Sequence, residues 1–99
     1  MQGEIDLHPK IPDVEQLSFD DKHINTERQH GVSEKEANEF IRSAKFSATK
    51  WKGKYTNYYS DAGAAYVDNE SKNIRTAFKK EEYDNVAKKA MEAINRGRT

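Results

Sequence analysis

Two stretches of the chain repeat apolar residues at the spacing of an α-helix. In the first, Ser33 and Glu36 form a capping box, and apolar residues follow at i, i+3, i+4 and i+7, namely Ala37, Phe40, Ile41 and Ala44. The second covers about residues 81–95 and has an apolar stripe of Tyr83, Val86, Ala87, Ala90, Met91 and Ile94. Acidic residues open this stretch and Gly97 follows it, as is typical of a helix. The pattern predicts one helix after Ser33 and another near the C-terminus.

Between these helices the apolar period changes to two. Four segments are rich in Tyr, Phe, Thr, Val and Trp, at residues 45–51, 54–60, 64–68 and 72–78, and turn-forming residues separate them. Short connections imply that neighbouring strands are antiparallel. In the last strand, alternation predicts Ile74, Thr76 and Phe78 on one face, with Arg75 and Ala77 on the other.

The N-terminal part of the chain has a weaker pattern. Pro9 and Pro12 favour extended backbone at the residues before them, so we expect residues 1–19 to form a loosely ordered arm, with a short edge strand near residues 4–7. A short helix is predicted from Asp20 or Asp21 to Gly31. The expected fold is α+β, with one or more N-terminal helices, a three- to four-stranded antiparallel meander and a C-terminal helix, in a single domain over residues 20–99.

Composition changes this picture in one respect. Leu, Ile, Val and Phe together supply only 16 of the 99 residues, whereas Tyr, Phe and Trp supply ten. Because each ring buries a large apolar area, we expect the rings to build much of the core. Alternation also predicts that Tyr58 and Tyr59 are not both buried in a half-exposed strand.

Several classes of protein are disfavoured by what the sequence lacks. Without Cys there is no disulfide framework, no Cys-ligated metal and no thiol nucleophile. The five Gly residues stand singly, so no phosphate-binding loop is present, and we expect no cofactor. No apolar run approaches the roughly 18 residues of a membrane span, so we expect no membrane partner.

The net charge of zero conceals an uneven distribution. Residues 1–34 carry eight acids and three bases, whereas residues 40–60 carry five bases and no acid. Lysines in this basic stretch interleave with aromatic rings, a mixture that suits single-stranded nucleic acid, because bases stack on rings while cations neutralise phosphates. The alternative is that the rings face the core and the lysines are ordinary surface charge. The residues concerned are Lys45, Lys50, Lys52 and Lys54 with Phe46, Trp51, Tyr55, Tyr58, Tyr59 and Tyr66.

The histidines offer a second candidate for chemistry. His23, Glu27 and His30 are spaced i, i+4, i+7, so an α-helix would place them on one face, with Asp20 one turn away. Such a face could hold a metal ion, use its imidazoles as acid and base near neutral pH, or simply be solvated. The spacing alone does not decide among these three.

Three segments resemble a known group of enzymes. HINTERQHG at 23–31 precedes a helix, and YYSDAGAAYVD at 58–68 and NIRTAF at 73–78 follow it. This order is similar to the phage-associated branch of the ribonuclease superfamily that includes barnase, EndoU, the tRNase colicins and the RelE toxins. The resemblance covers residues 20–96, and the acidic residue that some members use as a base has no obvious counterpart here.

The resemblance implies a small metal-independent endoribonuclease, in which the ribose 2′-OH attacks its own phosphate while a base and an acid move protons. Its implied catalytic residues are His23, Arg28, His30 and Thr76, and it also matches Ser60 as a residue that positions the RNA. The interleaved stretch and the last strand add Lys45, Lys52, Tyr58 and Arg75 as candidate RNA-binding residues. RNA and a protein such as an immunity protein are the expected partners, in the cytoplasm of a bacterial host or with a phage. The alternative is a non-enzymatic phage-encoded binding or inhibitor module that docks on protein or nucleic acid.

Overall fold

The protein, seen in a computed structural model that describes residues 4–27 and 29–97, is built on a six-stranded, mostly antiparallel sheet with two main helices. The strands are β1 (Glu4–Asp6), β2 (Ser18–Phe19), β3 (Phe46–Lys50), β4 (Tyr55–Tyr59), β5 (Gly63–Asp68) and β6 (Asn73–Lys79). The helices are α1 (Glu34–Arg42) and α2 (Asn85–Gly97). In the sheet the order is β1-β3-β4-β5-β6-β2, so an antiparallel meander of four strands lies between two short edges.

The four meander strands match the period-two segments of the sequence to within one residue at each end. Consecutive strands pair antiparallel, as their short connections predict. The α+β class is therefore confirmed. The predicted three or four strands were too few, because both edges of the sheet come from the N-terminal segment.

The segment expected to be an arm supplies both edge strands. β1 pairs antiparallel with β3, and β2 pairs parallel with β6 through Ser18 opposite Asn73 and Phe19 opposite Ile74. Between them Val14 is buried in the core. A strand of two residues shows no alternation in the sequence, which explains why the pattern did not predict β2.

The predicted start of α1 is confirmed. Ser33 Oγ accepts a hydrogen bond from Glu36 N at 3.1 Å, and the Glu36 carboxylate accepts one from Ser33 N at 3.2 Å. The helix buries Ala37, Phe40 and Ile41 against one face of the sheet, which we call the α1 face.

The second helix begins later than predicted. Residues Lys80–Glu82 form a separate 3₁₀ turn, and the Asp84 carboxylate accepts a hydrogen bond from Ala87 N at 2.8 Å, as an N-cap does. Val86, predicted in the apolar stripe, is half exposed. The rest of the stripe within the helix packs as predicted: Ala87 and Met91 are buried on the opposite side of the sheet, the α2 face, with Ala90 and Ile94 partly buried beside them. None of the described helices is long and apolar enough to cross a membrane.

The helix predicted over residues 20–31 is a π-helix at Lys22–Glu27. Ile24 is fully buried and holds this turn to the core. The Asn25 side chain then bonds both Val32 N at 2.8 Å and Val32 O at 2.7 Å, which ties the following chain back to the turn. The wider π turn changes the angular spacing that an α-helix would give to residues 23, 27 and 30.

Both faces of the sheet are covered where β4 ends, so Tyr58 and Tyr59 are both buried. Tyr58 packs on the α1 face and Tyr59 on the α2 face. The prediction that one of them would be exposed was wrong, because it assumed helices on one side only. On the α2 face rings do build the core: Phe46 stacks on Tyr59 with ring centroids 4.7 Å apart, and Tyr59 meets Tyr83 edge-on at 5.6 Å.

A β-bulge in β6 overturns the predicted facing of its residues. Tyr66 lies opposite Thr76 but Val67 lies opposite Ile74, so Arg75 is an extra residue. Ile74 therefore packs on the α1 face with Ala77, whereas Phe78 packs on the α2 face. The bulge reverses the face of Ile74 relative to Thr76 and Phe78.

Replacing Gly63 with alanine is expected to destabilise the fold by about 1–3 kcal/mol, the usual cost of overpacking. An added Cβ would lie 2.5 Å from Phe40 ring atoms and 2.6 Å from Phe78 O, and the backbone oxygen cannot move aside. Urea denaturation followed by circular dichroism measures the effect. Gly97→Ala is the control, because a Cβ there has no atom within 4 Å; equal stability of the two variants would contradict the packing at Gly63.

Candidate functional site

The α2 face is left open over the half of the sheet that α2 does not reach. A cleft of about 210 Å³ lies there, and we call it the basic cleft. Two of its lining residues are cations and none is acidic. They are Lys50, Trp51, Tyr55, Asn57, Tyr66, Arg75 and Thr76, from β3, β4, β5, β6 and the turn after β3.

The bulge in β6 supplies the cleft with its arginine. Arg75 Nη1 donates to Tyr55 Oη at 3.0 Å, and the guanidinium lies 5.4 Å from the centre of the Tyr55 ring. Lys54 Nζ lies 5.3 Å from the same ring. Tyr55 thus holds two cations near one wall of the cleft through its hydroxyl and the negative face of its ring.

The turn after β3 presents a tryptophan at the mouth of the cleft. Trp51 is 76% exposed, an unusual state for the largest apolar side chain. Trp51 and Lys52 both have φ of 56°, and Gly53 follows with φ of 92°, so three successive residues are left-handed. For a non-glycine residue this conformation costs on the order of 1–3 kcal/mol, and such strain concentrates at functional sites.

Hydrogen bonds hold this strained turn in place. Asn69 Nδ2 donates to Gly53 O at 2.9 Å and to Thr56 Oγ1 at 2.8 Å. Asn69 N also donates to Lys54 O at 2.8 Å. The turn between β5 and β6 therefore fixes the backbone that exposes the indole.

The floor of the cleft is polar but uncharged. Asn57 is buried, and the hydroxyls of Tyr59 and Tyr66 lie 3.0 Å apart. Burial raises the pKa of both hydroxyls, and the Tyr59 hydroxyl raises that of Tyr66 further. Both phenols consequently stay protonated at neutral pH and add no negative charge to the cleft.

Those predicted catalytic residues that the structure describes, His23, His30 and Thr76, do not share one cleft. Only Thr76 lines the basic cleft, whereas Arg28 lies outside the described residues. His30 Nδ1 lies 3.0 and 3.1 Å from the two Glu82 oxygens, and its ring packs against Phe78. His23 is in the π-helix, with its Nδ1 3.9 Å from Glu27 Oε1.

The hypothesis of a metal site at His23, Glu27 and His30 fails for a geometric reason. His23 does approach Glu27, but His30 pairs with Glu82, from the 3₁₀ turn before α2. Within residues 4–27 and 29–97, no group of three or more potential ligands could hold a metal ion. The helical spacing that suggested the site does not apply to a π-helix that ends at Glu27.

Two of the predicted RNA-binding residues are engaged inside the fold. Tyr58 packs in the core under α1. Ser60 is buried at the β4–β5 turn, where its hydroxyl donates to Gly63 O at 2.7 Å and accepts from Gly63 N at 3.1 Å. Tyr58 is thus a core residue and Ser60 organises the turn. Their role in RNA binding stays a prediction.

Of the remaining predicted RNA-binding residues, one is engaged in contacts that hold the fold together and two are exposed at the surface. Lys45 forms an ion pair with Asp61 and donates to Asn95 Oδ1 at 2.6 Å, which connects β3, the β4–β5 turn and α2. Lys52 is exposed in the strained turn, and Arg75 lines the basic cleft. Arg75 and Lys52 thus keep their charges at the surface, whereas Lys45 joins three elements of the fold.

Several residues of the cleft were not among the predicted site residues. The interleaved pattern did point to Lys50, Trp51, Tyr55 and Tyr66 as a group, but it could not separate rings of the core from rings of the surface. Strand alternation would have placed Tyr55 and Asn57 on one face. Their proximity to Arg75 depends on the bulge, and the pattern of apolar residues does not predict a bulge at that position.

Comparisons with protein-family models, with curated proteins and with solved structures each found no match. The relation to the ribonuclease superfamily thus stays a prediction from the residue pattern.

Replacing Asp61 with asparagine should destabilise the protein at pH 7 but not below the range where the carboxylate titrates. Hydrogen bonds from Lys45 and Asn95 hold the pKa of Asp61 below its ordinary value of 3.8, so its stabilisation is present above that pH and is lost as pH falls through the lowered value. The Asp61 side chain is half exposed, so we expect its pairing to contribute at most about 1 kcal/mol to the free energy of unfolding.

Urea denaturation at pH 7, 5, 4 and 3 measures this difference. Glu92→Gln on α2 is the matched control, because Glu92 forms no ion pair with the described residues. If the difference in free energy of unfolding between the native protein and Asp61→Asn stays the same from pH 7 to pH 3, the proposed pairing is contradicted.

Proposed function

We propose that the protein is a non-catalytic module that binds single-stranded nucleic acid, with RNA as the expected partner, in the basic cleft. One observation carries the proposal: an exposed indole and two cations line an open cleft to which no acidic side chain contributes.

The chemistry of the lining suits each part of a nucleotide. A base can stack on Trp51, since every base has an aromatic face and the indole is exposed. Lys50 and Arg75 can neutralise the adjoining phosphates. Lys52 and Lys54 extend the positive charge along the strained turn, so a strand that leaves the cleft there meets further cations.

The floor can contact the remaining polar groups. Asn57 offers an amide donor and acceptor, and Thr76 offers a hydroxyl. These groups suit a base edge or a ribose 2′-OH, which is the group that separates RNA from DNA. The Arg75 guanidinium is already oriented by Tyr55 Oη, so little side-chain entropy is lost when it meets a phosphate.

An endoribonuclease is the second candidate, and the His30–Glu82 pair favours it. A carboxylate within hydrogen-bond distance of Nδ1 orients the imidazole and leaves Nε2 to move a proton, as in many acid–base sites. However, His30 is not a lining residue of the basic cleft, and His23 has a different set of neighbours. Binding without cleavage agrees better with this arrangement.

Titration with a single-stranded oligouridine should quench the fluorescence of the protein. Trp51 is the only tryptophan, so the signal reports the cleft directly. Trp51→Ala should weaken binding about fivefold to a hundredfold or more, the equivalent of the 1–3 kcal/mol expected for one stacked base. Fluorescence anisotropy of a labelled oligouridine measures the affinity of this variant.

Arg75→Gln should reduce the salt dependence of the same binding. Removing one phosphate contact to a single strand lowers the slope of log K against log salt by about 0.7. Lys89→Gln is the matched control, with the same loss of charge on the exposed side of α2. Absence of quenching, or equal salt slopes for the two variants, would rule out the cleft as the binding site.

Incubation of RNA with the protein in EDTA should leave the RNA intact. We expect this because His23 lies beside Glu27, His30 beside Glu82, and Thr76 in the basic cleft. Gel analysis of the 5′- and 3′-ends detects any cleavage. Cleavage that persists in EDTA and disappears in a folded His30→Ala variant would establish the ribonuclease instead.

A further inference from the structure

One edge of the sheet lies beside apolar surface. β1 stands at the end of the strand order, and within residues 4–27 and 29–97 it pairs only with β3. Among the described residues, no strand pairs with its outer side. Edges of this kind accept an extended peptide as an additional strand.

The side of β1 that faces α2 is apolar. Ile5 lies opposite Ala48, a residue of the α2 face, and so shares that face. There an apolar groove of about 450 Å³ runs between β1 and the end of α2. Ile5 and Leu7 are 45% and 53% exposed within it. Its other apolar walls are Phe46, Ala90, Ala93 and Ile94, and His8 and Gly97 complete the lining.

The other side of β1 is acidic. Glu4 and Asp6 alternate with Ile5 and therefore point away from the apolar groove. Both are exposed, and neither forms an ion pair with the described residues. If a second copy added its own β1 in antiparallel fashion, carboxylates would face carboxylates across the new pair, and like charges directly opposite are destabilising.

We propose that β1 binds an extended segment of a partner protein in which apolar and basic residues alternate. The segment adds a strand to the sheet, and its main chain bonds the outer edge of β1, where no described strand pairs. The residue opposite Ile5 enters the apolar groove, and the residues opposite Glu4 and Asp6 are lysine or arginine. The groove shares no lining residue with the basic cleft, so this surface is separate from the nucleic-acid site.

A labelled peptide of about eight residues that alternates valine and lysine tests the proposal by fluorescence anisotropy with the full chain. We expect this peptide to bind, and a peptide that alternates valine and glutamate not to bind. The double variant Glu4→Lys, Asp6→Lys should reverse this preference, with a loss of about tenfold or more for the lysine peptide, because two opposite-charge pairs become like-charge pairs. Both substituted residues are exposed, so circular dichroism should show an unchanged fold.

A second peptide separates strand addition from attraction between charges. Methylation of alternate backbone nitrogens in the lysine peptide removes donors but keeps every charge, so we expect binding to be lost. Equal binding of the lysine and glutamate peptides, an undiminished affinity after methylation, or no binding at all would overturn the proposal. Sedimentation that shows a concentration-dependent dimer, abolished by Ile5→Asp, would assign the edge to a second copy and equally overturn it.

Discussion

The arrangement of the molecule depends on one buried hydrogen bond, from Tyr83 Oη to Ser60 O at 2.7 Å. It joins the residue before the N-cap of α2 to the turn between β4 and β5. The Tyr83 ring meets Tyr59 and Phe78 edge-on at 5.6 and 6.0 Å, so its apolar body is buried while its hydroxyl finds a partner. Burial raises the pKa of Tyr83, which keeps the phenol a donor throughout the ordinary pH range.

That anchor decides which part of the sheet remains open. Because α2 is tied to the β4–β5 turn, it covers the end of β4 and the start of β5, where Tyr59 and Ala64 are buried. The opposite ends of the same strands, with Tyr55 and Tyr66, are left to line the basic cleft. Tyr66 also packs edge-on against Phe78 at 5.3 Å, so the wall of the cleft rests directly on the aromatic core. A rigid core thus supports the residues that we assign to binding.

The parts of the fold that the sequence predicts are those with a repeated local signal. The capping box of Ser33 and Glu36 marks the start of α1, and alternating residues mark the four meander strands. The signal fails where one residue changes the geometry: Arg75 as an extra residue in β6, or the π turn around Ile24. For the site, interleaved rings and lysines indicate the right region, but whether a ring is buried depends on where α2 packs, a tertiary contact that local periodicity does not contain.

The cations of the basic stretch, residues 40–60, do not form one continuous surface in the structure. Lys45 forms an ion pair with Asp61, whereas Lys50 lines the cleft together with Arg75 from another strand. Glu4, on the edge strand, shares a surface depression with Lys50 and Trp51. A basic partner residue opposite Glu4 would neutralise that carboxylate. At 0.1 M salt a charge acts over roughly 10 Å, so the change would be felt by neighbouring groups in the depression. Occupation of the sheet edge would then make the mouth of the cleft more positive, so the two proposed surfaces would be coupled through Glu4 although they share no lining residue.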